Sequence, residues 1–194
     1  DMNMTGLYNV QNSLCAIAMV TALGFDMTEC AKALSDLDGV DGRMNVVYRG
    51  DFTVITDYAH TDDALIKVLS TLKPLTKGRL ICVFGAAGDR DKEKRPMMAK
   101  AAEDNADILV ITSDNPAHEN PDEIIREVMT GISGKKPCRC ITDRRKAIAY
   151  ALDTARKDDV IILCGKGHET YQDVGGKKHH FDDREEITQA LIGH

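Results

Sequence analysis

Four short polar motifs hold most of the reactive side chains of this sequence, and each follows a short apolar run. They are Asp57-Tyr58-Ala59-His60-Thr61, Gly88-Asp89-Arg90-Asp91-Lys92, Asp114-Asn115-Pro116-Ala117-His118-Glu119 and Gly165-Lys166-Gly167-His168-Glu169; the runs before them are 52–55, 80–84, 108–112 and 160–164. Asp57 and His60 could bind a nucleotide's ribose or phosphates, or orient a reacting group. A helix cap and a surface histidine would account for the same two residues. Arg90 has the fork geometry that suits a carboxylate, and the glycines before it allow a ligand close to the backbone. The plainer alternative is a solvated loop held by its own ion pairs. Asp114-Asn115-Pro116 would suffice as a turn. Two glycines, a cation, a base and an acid within 165–169 read as a ligand loop. Neither the Gly-x-Gly-x-x-Gly dinucleotide fingerprint nor a Gly-x-x-x-x-Gly-Lys-Ser/Thr phosphate loop occurs.

Such motifs need elements to hold them. Residues 9–36 read as two helices, the first ended by Gly24 and the second capped by Thr28. The turn at 38–42 reads as a domain boundary. Beyond it, strands near 52–56, 80–84, 108–112, 138–142 and 160–164 alternate with helices near 62–73, 95–105, 121–130 and 144–157. Asn120, Pro121 and Glu123 mark one helix start as a capping box, and Asp143 caps another. A Gly175-Gly176 hairpin and a last helix near 183–192 close the chain. This alternation predicts an α/β, Rossmann-like, mostly parallel sheet with helices on both faces, preceded by a short helical segment at 1–40. Buried parallel strands end in loops at the sheet's carboxyl edge, where ligands of open α/β sheets bind.

The totals agree. Of 194 residues, 43% are apolar, enough for a core. No apolar run approaches the ~20 residues of a membrane span. A net charge of -6 argues against a general nucleic-acid surface. The six cysteines show no Cys-x-x-Cys spacing and read as reduced core thiols of a cytoplasmic protein, with no metal site. No signal peptide is visible, and the opening Asp1-Met2-Asn3-Met4 suggests a piece of a longer chain.

Taken together and in order, the motifs resemble the Mur ligases of bacterial peptidoglycan synthesis, in particular the branch adding the third residue of the peptide. Asn9-Val10-Gln11-Asn12 resembles the asparagine motif that contacts adenine. Gly42-Arg43-Met44 resembles the entry to the C-terminal domain, and Asp182-Asp183-Arg184 follows the four loops. The resemblance implies that 1–40 ends a central ATP-binding domain and that 41–194 is the amino-acid-binding domain. It implies ATP and Mg2+, bound mainly by that central domain, with UDP-MurNAc-dipeptide and a diamino acid as partners, no nucleic acid, no membrane insertion, and a monomer. Asn9, Asn12, Arg43 and Asp57 would reach the nucleotide, with Asp57 and His60 near the chemistry. Arg90, Asp114, Asn115, Pro116, Ala117, Gly165 and Glu169 would bind substrate. The family's diaminopimelate enzymes carry Asp-Asn-Pro-Arg where this sequence has Asp114-Asn115-Pro116-Ala117. Ala117 cannot pair with a distal carboxylate, so the resemblance points to L-lysine, with meso-diaminopimelate next. Sibling ligases of the folylpolyglutamate or cyanophycin type, and a non-catalytic Rossmann-like module, are the rival readings.

Overall fold

The computed structural model describes residues 6–37 and 39–192, with the side chains of Leu7 and Tyr8 excepted. The opening residues 1–5 and Asp38 lie outside the described residues, so the turn expected at 38–42 is seen from Gly39 onward.

Two helices come first, α1 (Leu7–Ala22) and α2 (Met27–Ser35). Gly24, at φ 96°, follows the end of α1. The cap of α2 is Asp26 rather than Thr28: its carboxylate accepts from the Thr28 and Glu29 amides, so the helix starts two residues earlier than the sequence suggests.

A six-stranded sheet follows: β1 (Asn45–Arg49), β2 (Thr53–Asp57), β3 (Leu80–Phe84), β4 (Ile108–Ile111), β5 (Cys138–Cys140) and β6 (Val160–Cys164), in the order β1-β2-β6-β3-β4-β5. β1 is antiparallel to β2, and every other neighbouring pair is parallel. The expected architecture is therefore the observed one. The antiparallel β1 is the element the sequence did not reveal. It is an edge strand with an irregular register between Val46 and Tyr48, and its burial does not alternate cleanly.

Side chains of the central strands divide by parity. Leu80, Cys82 and Phe84 pack with α3 (Asp62–Leu72), α4 (Lys94–Asn105) and α5 (Pro121–Met129) on one face. Ile81 and Val83 pack with α6 (Arg144–Thr154) and α7 (Asp183–Ile192) on the other. Burial on both faces explains why these strands read as unbroken apolar runs. Asn120 and Asp143 cap α5 and α6 as expected. The capping box closes only halfway, because Glu123 pairs with Arg126 instead of returning to Asn120. The hairpin is β7 (Tyr171–Val174) with β8 (Lys177–His180). Of the cysteines, Cys82 and Cys164 are core thiols; Cys15 and Cys140 are exposed, so the core-thiol expectation fails for them.

Candidate functional site

The register of the sheet sets the site. Asp57 pairs with Cys164, Val83 with Leu163, and Phe84 with Ile111. Four adjacent parallel strands thus end at nearly one level, and the four motifs leave from those ends. They wall a cleft of about 450 Å3 to which Tyr58, His60, Ala87, Arg90, Asn115, Gly165 and Glu169 all contribute.

Glycine permits the loops to close on one another. A Cβ on Gly88 would stand 1.9 Å from the Pro116 carbonyl oxygen, and the Gly88 amide donates to the Asn115 carbonyl at 2.8 Å. The fully buried Arg95 ties the same two loops. It donates to both Glu119 oxygens at 2.8 and 3.0 Å, to the Ala87 carbonyl, and to Glu127. Glu119 also accepts the Asp89 amide. Held by Arg95, the Glu119 carboxyl falls from its usual 4.5 to about 2. Arg90 differs from Arg95. It is exposed and lines the cleft, and its side chain makes no hydrogen bond or ion pair among the described residues. It is an available fork for an anion.

Opposite lies a buried polar cluster. Asn115 accepts from Lys166 Nζ at 2.9 Å and from the Asp173 amide, and donates to Glu169 Oε2 at 3.0 Å. Asp114 is buried, with Lys166 Nζ at 3.7 Å. Burial pushes the Asp114 carboxyl up and the Lys166 ammonium down. Gly165 (φ 114°) and Gly167 (φ 54°) flank Lys166 and turn it into the fold. Behind it, Arg144 grips Asp183 through two bonds of 2.7 Å, fixing α6 to α7. The sequence named the Lys166 motif but did not assign this lysine a place; it read Arg144 only as a helix start, and Asp183 as a helix start and part of the Asp182-Asp183-Arg184 motif, without pairing the two.

His60 lines the cleft and donates from Nδ1 to the Tyr58 carbonyl at 2.8 Å, leaving Nε2 free to accept. Asp57 lies elsewhere. It is buried, does not line this cleft, and spends its oxygens on the Met44 and Ala59 amides at 2.8 Å each. It clamps the chain's entry to the sheet. Burial raises its pKa, against those two bonds and Arg43. Pro116 and Ala117 also stand outside the cleft wall. Ala117, at φ 48°, is bonded to the β7–β8 hairpin through Asp173 and Gly175. His118 is exposed and pairs with Asp89 at 2.6 Å, which raises its pKa.

A second cleft of about 430 Å3 is lined by Asn9, Asn12, Ser13, Ala16, Leu34, Leu37, Val40 and Arg43. Arg43 joins the two clefts, its guanidinium 5.2 Å from the ring of Tyr58. The structure thus brings Asn9, Asn12 and Arg43 together. Among the described residues no cluster of three or more His, Cys, Asp or Glu side chains could hold a metal ion.

Residues 42–167 match the family described as Mur ligase, glutamate ligase domain. The chain belongs to this family. It is 46% identical over 190 residues to the UDP-N-acetylmuramoyl-L-alanyl-D-glutamate–2,6-diaminopimelate ligase of Gloeobacter violaceus, covering 97% of this chain and 39% of that protein. The ligase of the same name from Caldanaerobacter subterraneus is 48% identical over 193 residues, 98% of this chain and 40% of that one. A solved structure of a ligase of that name superposes with a TM-score of 0.78 at 39% identity, over all of this chain and 40% of that one. The Thermotoga maritima UDP-N-acetylmuramate-alanine ligase, at 21% identity and a TM-score of 0.70, shares the fold over 99% of this chain and 39% of its own. The chain therefore spans about two fifths of the length of these relatives.

Proposed function

We propose that the chain is the C-terminal, amino-acid-binding part of an ATP-dependent ligase that adds a diamino acid to UDP-MurNAc-L-Ala-D-Glu in peptidoglycan synthesis. Residues 1–40 would end its central ATP-binding domain. One observation carries this reading: four motif loops from four level strands converge on one cleft, with unpaired Arg90 on one wall and Glu169 on another. A free fork and a carboxylate suit an amino acid's carboxylate and ammonium.

In the reaction, ATP phosphorylates the D-glutamate side carboxylate, releasing ADP. The diamino acid's amine attacks the acyl phosphate, forming the amide and releasing phosphate. Arg90 would hold a substrate carboxylate and Glu169 an ammonium, with Asn115 and Gly165 shaping the wall and Asp114 supporting it from beneath. His60 Nε2 can accept a proton or hydrogen bond at the cleft. The second cleft offers amide groups beside apolar ones, which suits a base edge, with Arg43 as a cation on its side toward Tyr58 and the first cleft. Magnesium would come with ATP and be held chiefly outside this chain. Closure of the clefts would exclude water from an acyl phosphate that otherwise hydrolyses. An ATP- and UDP-linked reaction fits the cytoplasm and free thiols; no described helix is long and apolar enough to cross a membrane. A monomer is the working assembly.

Lysine is the favoured diamino acid. Ala117 supplies no cation, and a buried carboxylate without one is costly. A second reading, meso-diaminopimelate, is favoured by the names of the relatives and by the unpaired Arg90. Phosphate release by the full-length enzyme, with UDP-dipeptide, ATP and each amino acid in competition, tests both. No turnover with either sinks the ligase proposal. Equal or better use of diaminopimelate sinks the lysine assignment alone.

A further inference from the structure

Lys166 is fully buried, although lysine is among the residues least often found so. Its Nζ donates to Asn115 Oδ1 at 2.9 Å and to the Tyr171 carbonyl at 2.6 Å, with Asp114 Oδ1 and Glu169 Oε2 each at 3.7 Å. This decides the orientation of the Asn115 amide. Its oxygen receives two donors, Lys166 Nζ and the Asp173 amide, so its NH2 must face Glu169. Glu169 is consequently held at Oε2 alone. Oε1 has no hydrogen-bond partner among the described residues, and Glu169 lines the cleft. Without the ammonium, Asn115 would lose one of the donors that fix it, and Glu169 would lose its nearest cation.

We propose that Lys166 is a positioning residue for amino-acid capture: through the Asn115 amide and its own charge it holds Glu169 with one oxygen presented to the ammonium of the incoming diamino acid. The inference rests on the ligase reading above. Lys166 itself does not line the cleft and does not touch the substrate. The same ammonium ties the Tyr171 end of the β7–β8 hairpin to the cleft wall, so a structural staple is the competing role.

A double-mutant cycle in the full-length enzyme separates the two roles. Lys166→Met should raise the Michaelis constant for the diamino acid by at least about tenfold, leaving those for ATP and the UDP-dipeptide within about threefold. In a Glu169→Gln background the same substitution should add little, because its effect passes through Glu169. Lys166→Gln keeps a donor for Asn115 and should recover part of the loss; it also takes the place of Lys166→Met in the cycle if that variant does not fold. Additive losses, or equal losses for all three substrates, would overturn the proposal and leave the staple. A wild type inactive with every diamino acid would instead overturn the ligase reading itself, and this inference with it.

Discussion

Two arginines on neighbouring stretches of chain have opposite roles, and burial tells them apart. Arg90 is exposed and unpaired among the described residues, so Arg90→Ala should change the melting temperature little, surface changes costing under ~0.5 kcal/mol. The Michaelis constant for the amino acid in the full-length enzyme should rise at least about tenfold, ~1.4 kcal/mol. A large melting shift with unchanged kinetics would show a structural Arg90. Arg95 is buried against Glu119 and Glu127, and Arg95→Ala should cost about 3 kcal/mol of stability. The low end of the range for broken buried pairs applies because both glutamates are partly exposed and can recruit water. Its partner also sets an acid limit. The Glu119 carboxyl is depressed to about 2 in the fold from its usual 4.5. Its contribution is therefore complete above the higher value and is lost as pH falls from there through the lower one. Melting curves from pH 7 down to about 2.5 should fall more steeply for wild type than for Glu119→Gln below about pH 4.5. Parallel curves would remove Glu119 from the acid response.

At the scale of elements, the site depends on how closely the loops after β3 and β4 approach. Gly88→Ala would drive a methyl into the Pro116 carbonyl, leaving the loops to separate. A loss of about 1–3 kcal/mol is expected from such overpacking, read by thermal melting, together with weaker amino-acid capture. An unchanged melting temperature would mean the loops accommodate the methyl freely. The β7–β8 hairpin presents a different case. Ala117 already tolerates a left-handed backbone there, so Ala117→Arg adds no new backbone strain and its effect should be kinetic. If lysine is the substrate, the new cation should repel its side-chain ammonium. Lysine use should fall at least about tenfold, with some gain for diaminopimelate, since charge-pair discrimination can reach ~2–5 kcal/mol. Unchanged lysine kinetics in a competition assay would place the side-chain pocket away from position 117.

For the whole molecule, the decisive facts are the missing phosphate-loop motif in these 194 residues and the two fifths of its relatives that the chain spans. The isolated chain should release no phosphate from ATP with UDP-dipeptide and lysine, because on the proposed reading the groups that cradle the transferred phosphate belong to the rest of the enzyme. Turnover by the isolated chain would refute the division of labour proposed between 1–40, 41–194 and the rest of the enzyme.

Reading the sequence alone located β3 and β6 to the residue and the caps Asn120 and Asp143, because strands buried on both faces and helix starts are written in local residue types. Parallel pairing of four such strands then places their loops at one edge, so the gathering of the motifs was legible too. Edge strand β1 was not, since its pattern is set by one neighbour and by solvent. Nor was the difference between Asp57 and Glu169, two acids in similar motifs. The Met44 amide, thirteen residues away, helps turn Asp57 into a clamp, whereas Glu169 keeps an oxygen for the cleft. Lys166 was placed by tertiary structure alone. Its type predicts solvent, and Asn115, Asp114, Glu169 and the Tyr171 carbonyl, brought together by folding, make the interior a place where its charge can stay.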